Sequence, residues 1–153
     1  MIDINNESGA EVDEQRLVRL AAFALDKLRI HPQAELSIVL VDEETMAGYH
    51  ERFMDLPGPT DVMSFPMDEL RSPREGEEPP TGLLGDIVIC PQFTSAQAPE
   101  NGREPDDEID YLLIHGLLHL LGHDHAEPEE KAEMFGINDR IISDWKNGPL
   151  NEC

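Results

Sequence analysis

"HGLLHLLGHDH", residues 115–125, places four of the chain's six histidines within eleven positions. On an α-helix, His115 and His119 share one face with about 6 Å of rise between them, near enough for both rings to ligate one ion. Gly122 is free to take a left-handed conformation, which ends the helix and returns a residue about three positions further on, His125, towards the same point. Three imidazoles with one position open describe a catalytic zinc site, because a structural site closes all four positions with protein ligands, often thiolates. A single histidine on an apolar face is more often a hydrogen-bonded core residue. Here Leu112, Leu113, Ile114, Leu117, Leu118, Leu120 and Leu121 make the helix apolar almost all round, and two unpartnered imidazoles buried in it would be costly. One bound ion removes that cost and accounts for the pair, the glycine and the third histidine together. His123, adjacent to the turn, reads as exposed or as a hydrogen-bonding neighbour of the ligands.

Outward from this helix, which the pattern places from Pro105 to Leu121, strands alternate with helices. "MIDINN" suits a short strand. Asp13 can cap a helix in which Leu17, Leu20, Ala21, Ala24 and Leu28 recur at helical spacing, and Asp42 a second one ending near Phe53. "ELSIVLV" (35–41), "DVMSF" (61–65) and "LLGDIVIC" (83–90) read as strands, the last dense in apolar β-branched residues. "LPGPT" breaks the chain, "RSPREGEEPPTG" (71–82) is a polar loop, residues 92–98 suit a short helix stopped near Pro99, and 127–146 a closing amphipathic helix. The expectation is an α/β (α+β) fold of zinc-hydrolase type. One compact domain over 1–146 has roughly four strands in a mixed sheet and about five helices, and 147–153 form a flexible tail.

With 153 residues there is material for one well-buried core. No apolar run approaches membrane-spanning length and the N-terminus lacks an apolar signal core, so a cytoplasmic protein with no membrane partner is expected. Cys90 ends an apolar strand and Cys153 is the last residue, so a disulfide between them is not expected. A formal charge of −22 repels nucleic acid on average. Much of the acid lies in "REGEEPP", "REPDDEID" and "EPEEKAE", where it serves solubility, and Arg52, Arg71, Arg74 and Arg103 are grouped enough for a small positive groove.

The histidine spacing also occurs in metzincin peptidases, in which a glutamate follows the first histidine as general base. Gly116 stands there instead and has no side chain to take a proton. A closer resemblance exists. "HGLLHLLGHDH" resembles the H-G-x-L-H-L-x-G-Y-D-H motif of the YbeY family of endoribonucleases, and "PTDVMSFP" (59–66) and "LLGDIVIC" (83–90) resemble that family's other two signatures, in the same order. The resemblance implies one zinc ion held by His115, His119 and His125. It implies a metal-dependent endoribonuclease acting on single-stranded and ribosomal RNA, at the 3′ end of 16S rRNA and in ribosome quality control. The partners would be the small ribosomal subunit and its assembly factors, with DNA not expected.

Family members carry an arginine five residues before the proline of "PTDV", where this chain has Met54. Arg52 is out of register, and is either a phosphate partner or a solvated helix charge; Arg71 and Arg74 are the other candidates. Asp124, between turn and third ligand, is placed to fix the tautomer of a ligand imidazole. Asp61 is either a turn cap or a cleft residue, Asp86 either a structural acceptor or a cleft residue with the structural role favoured, and Met63 and Phe65 belong to the core. Two other classes stay open: a metallopeptidase-like zinc hydrolase with a displaced base, and a non-catalytic ribosome assembly factor with a structural zinc.

Overall fold

The computed structural model describes residues 1–124 and 126–147. Its central element is the helix Pro105–Leu120 (α4), whose buried residues include Ile109, Leu112, Leu113, Ile114, Leu117, Leu118 and Leu120. A helix apolar on this many sides has to be covered on several of them. A four-stranded sheet covers one. Its strands are Ile2–Asn6 (β1), Glu35–Leu40 (β2), Val62–Pro66 (β3) and Leu83–Ile89 (β4), in the order β1-β2-β4-β3. β1 and β4 run parallel to β2, while β3 is antiparallel to β4 and forms the edge. The remaining sides of α4 meet the helices Glu14–Lys27 (α1), Pro91–Gln97 (α3) and Pro128–Asn147 (α5). The fold is thus a mixed four-stranded sheet with five helices, as the strand and helix patterns predict.

Local chemistry sets the element ends. Asp13 accepts from the Arg16 backbone N–H at 3.1 Å, and Asp42 from that of Thr45 at 2.8 Å, each starting its helix. The helix Glu43–Met54 (α2) stops where Asp55 turns left-handed (φ 55°), a conformation that a short polar side chain tolerates. Two expected boundaries move. Leu28 caps α1 rather than continuing its buried stripe, because Arg29 is already left-handed at φ 61°. α3 opens one residue early, at Pro91, and ends at Gln97, close to Pro99 as expected; the path then tightens into a 3-10 turn over Ala98–Asn101 before Gly102 ends it.

The two sheet faces have different covers. Leu36, Ile38, Leu40, Leu84, Ile87 and Ile89 join the core with α1, α4 and α5. On the other face Met46 of α2 packs with Val41, Met63, Val88 and Cys90, flanked by Tyr49, Phe65 and Phe93. α2 leaves part of that face open, and there Asp3, Ser37 and Asp86 are successive partners across three strands. Asp86 is therefore half-buried on an open sheet surface. It is neither a core acceptor nor part of the histidine cleft.

Gly85 holds the edge strand in place. Its φ is +133°, and a Cβ would stand 2.2 Å from the Phe65 carbonyl oxygen, so only glycine lets β3 and β4 meet here. Cys90 is buried and free, and Cys153 lies outside the described residues. No helix among those residues is long and apolar enough to cross a membrane.

Two ion pairs to buried carboxylates help fix α4. Glu108, fully buried, accepts from Arg103 Nη1 at 2.7 Å and from Asn101 at 2.5 Å, while the Arg103 guanidinium lies 3.9 Å from the Tyr111 ring centroid. Arg103 is thereby committed to a structural bond, and the expected grouping of four arginines loses one member. On the other side Arg16 of α1 donates to Asp110 at 2.9 Å. Burial outweighs this partner and pushes the Asp110 carboxyl up to about 6 from an ordinary 3.8.

Between those two values the folded chain keeps a proton that the unfolded chain has released, so stability from this group is full below the lower value and is lost as pH rises through the upper one. The unfolding free energy of wild type minus that of Asp110→Asn should fall by about 2 kcal/mol from pH 4 to pH 7 in denaturant titrations. A difference independent of pH would contradict the placement of Asp110.

Candidate active site

His115 and His119 occupy the last two turns of α4, half-buried among leucines that are almost wholly buried. Their Nε2 atoms converge to 3.1 Å, with ring centroids 4.7 Å apart and planes at 78°. A tetrahedral ion with nitrogen ligands at about 2.0–2.1 Å requires the nitrogens to be about 3.3 Å apart, so the pair fits a shared zinc ion closely. Phe135 of α5 lies 6.2 Å from the His115 ring, centroid to centroid, and limits its rotation.

The helix then ends as its leucine pattern requires. Gly122 takes φ +91°, its N–H donates to the His119 carbonyl at 3.0 Å, and the His123 N–H to that of Leu118 at 3.0 Å. This turn reverses the chain next to the imidazole pair. His125 lies outside the described residues. Among the described residues no third histidine, cysteine or carboxylate joins the pair. His123 is half-buried and Asp124 exposed at the turn.

Gly116 decides how close α4 comes to the sheet. A Cβ there would meet Ile87 Cγ2 at 3.0 Å, Ser64 Oγ at 3.1 Å and Val62 Cγ2 at 3.3 Å. The Ser64 hydroxyl donates to the Gly116 carbonyl at 2.9 Å, tying helix to edge strand. The residue after the first histidine is therefore pressed against β3, and a glutamate, the general base of the peptidases that share this spacing, has no room.

The imidazoles form the floor of a cleft of about 650 Å³ between β3 and the C-terminal end of α2. Asp61 lines it while also capping the strand entry: one carboxylate oxygen accepts from the Val62 N–H at 2.7 Å, the other from Gln97 Nε2 at 3.0 Å. Both roles weighed for it are thus geometrically compatible. Met63 is buried as expected, but Phe65 is shared between the second core cluster and the cleft. Two lining residues escaped sequence reasoning, His50 and Phe53. His50 Nδ1 lies 2.9 Å from the Gly58 carbonyl, which can only accept, so the proton sits on Nδ1. Their only advance signal was the helical spacing of Tyr49 and Phe53; the fold-back of residues 55–61 onto α2 has no periodicity to read.

The basic candidates separate. No lysine or arginine lines the cleft among the described residues. Arg52 is exposed on α2 with its guanidinium 5.7 Å from the Phe53 ring centroid, and Arg74 is an exposed loop residue. Arg71 lies over the turn after the histidine helix, where a Cβ on Gly122 would be 3.0 Å from its Nη1. The loop 71–82, bland in sequence, brings a cation over the turn that follows α4.

This arrangement has counterparts. The family model described as Endoribonuclease YbeY matches residues 3–146. This chain belongs to that family. Relatives named Endoribonuclease YbeY include one from Cutibacterium acnes, 70% identical over 95% of this chain and 94% of its own length. Another, from Streptomyces griseus, is 56% identical over 95% of this chain and 90% of its own length. The solution structure of TM1509 from Thermotoga maritima is similar at TM-score 0.60 and 25% identity, covering 97% of this chain and 94% of that one. The family's fold and the histidine helix come together in this chain.

The close contact at Gly116 makes a direct expectation. Gly116→Glu should destabilise the fold by at least about 2 kcal/mol in denaturant titrations, with no peptidase activity gained. A stable Gly116→Glu protein would contradict the packing.

Proposed function

We propose that this chain is a zinc-dependent endoribonuclease specific for single-stranded RNA. We further propose that its substrate is ribosomal RNA, at the 3′ end of 16S rRNA, and that it serves ribosome maturation and quality control. Membership of the endoribonuclease YbeY family makes it an enzyme acting on RNA phosphodiester bonds. The finer reading is carried by one observation: two imidazole nitrogens 3.1 Å apart on the floor of an open cleft. It implies a cytoplasmic setting and, as partners, the small ribosomal subunit and its assembly factors, for which the three sequence signatures are the support.

In this reading His115, His119 and His125 hold one zinc ion. Bound there, zinc supplies Lewis acidity towards a phosphate oxygen and lowers the pKa of a coordinated water. The chain's own residues do the rest. The Ser64–Gly116 bond holds the histidine helix against β3, and the Phe135 ring packs beside His115. Asp124, at the turn, fixes a ligand tautomer by accepting a hydrogen bond from a ring N–H. Arg71, over that turn, neutralises charge developing on the phosphate, and Arg52 at the rim is the second cation within reach of a bound strand. An extended single strand can enter a cleft of this kind, where a paired duplex is too wide.

The metallopeptidase alternative would have to take its base from elsewhere around the cleft, because position 116 is packed against β3. The assembly-factor alternative needs a closed zinc site and no cleavage, which the first test addresses. Elemental analysis should find one zinc per wild-type chain, and His119→Ala should lose both the metal and at least about 99% of cleavage of an unstructured RNA. Cleavage that survives in the metal-free variant would refute the reading. Arg71→Ala should lower kcat by about 10- to 100-fold, with partial recovery in Arg71→Lys, as removal of a charge-stabilising donor does. An unchanged kcat would remove Arg71 from the site.

A further inference from the structure

Phe53 is large, apolar and 53% exposed, yet its ring is not loose. It stacks on Tyr49 at a centroid distance of 6.1 Å and 27°, and meets the edge of Phe65 at 5.1 Å and 71°. Tyr49 and Phe65 themselves pack at 6.3 Å. The aromatic trio is anchored beneath by the second core cluster, so the outward part of Phe53 is a rigid surface. It lines the same cleft as His115 and His119, and Met54, 57% exposed, borders it.

Charge determines what such a surface receives. Strands are usually drawn into a groove by lysine and arginine against phosphate, but this cleft has none among the described residues, carries Asp61, and sits in a chain of formal charge −22. Beyond the single ion of the proposed metal site, attraction for a polyanion inside it is left to the uncharged part of the nucleotide. Base-on-aromatic stacking is that interaction; it is tolerant of sequence and needs an unpaired base.

We propose that Phe53, held by Tyr49 and Phe65, is a nucleobase seat that grips one unpaired base of the RNA strand beside the histidine site. The proposal rests on the endoribonuclease reading above. It assigns single-strand preference to this seat, because a base inside a duplex is not free to reach it.

The test uses metal-loaded protein and an unstructured twelve-nucleotide RNA in which one base at a time is removed to leave the bare ribose. In wild type, loss of the base at one position near the cut should raise KM by about 5- to 100-fold, the effect of losing one stacked base. Phe53→Ala should raise KM for the intact RNA by a similar factor and abolish the penalty at that position alone. Phe53→Trp should retain the wild-type pattern, and Phe53→Leu, apolar but without a π-face, should behave as Phe53→Ala. Thermal melting checks that each variant is folded, which the exposure of Phe53 favours. Penalties equal at every position, a penalty that persists in Phe53→Ala, or wild-type behaviour in Phe53→Leu would each overturn the seat while leaving the nuclease intact. Wild type that does not cut the intact RNA would overturn the nuclease reading and the seat with it.

Discussion

The structure depends on one close approach, that of the histidine helix to the edge strand β3. A glycine at position 116 lets the helix backbone come within contact of Ile87, Ser64 and Val62, and the Ser64 hydroxyl completes the junction on the Gly116 carbonyl. Everything that defines the site follows from that distance. The imidazoles on either side of the glycine's turn of helix are held beside β3 at the base of a cleft, instead of being lifted away by an intervening side chain. A second glycine, Gly85, sets the position of β3 by allowing its carbonyls to crowd β4. Two small residues thus fix a geometry that the surrounding leucines only bury.

The same contact separates two chemistries that share a ligand spacing. Peptidases with this histidine pattern use the residue after the first ligand as a base, which requires that residue to face open space. In this chain it faces packed side chains, and proton transfer has to be managed elsewhere around the cleft. The electrostatics are equally divided. Most of the excess negative charge is peripheral, Arg103 is taken up by the buried Glu108, and Arg16 by Asp110. What remains near the site is Arg71 over the ligand turn and Arg52 at the aromatic rim. A net charge of −22 and an RNA substrate are compatible when cations are needed only where charge develops and the grip on the strand is uncharged.

Much of this was legible in the sequence because it is local. The caps at Asp13 and Asp42, the helical repeats, the apolar run of α4 and the glycine after it each follow from the chemistry of neighbouring residues, and the structure places them within a residue or two of expectation. Pro99 marks the end of α3 as expected, and the 3-10 turn beyond it has no separate signal because proline is tolerated in its first turn. Non-local facts were not legible. The strand order β1-β2-β4-β3 depends on pairings between distant segments. Arg103 looked like a free cation until Glu108 was seen to turn inward, and Asp86 looked like a core carboxylate until α2 was seen to stop short of it. His50 and Phe53 enter the cleft only because the chain after α2 folds back on it.

The proposed chemistry requires three imidazoles to meet at one ion and leave one coordination position open. X-ray absorption at the zinc edge of the metal-loaded protein tests it most directly. The prediction is three histidine nitrogens at about 2.0 Å and one light-atom ligand that exchanges when a small anion such as fluoride is added. A fourth protein ligand that does not exchange, a sulfur in the shell, or fewer than three histidines would contradict it.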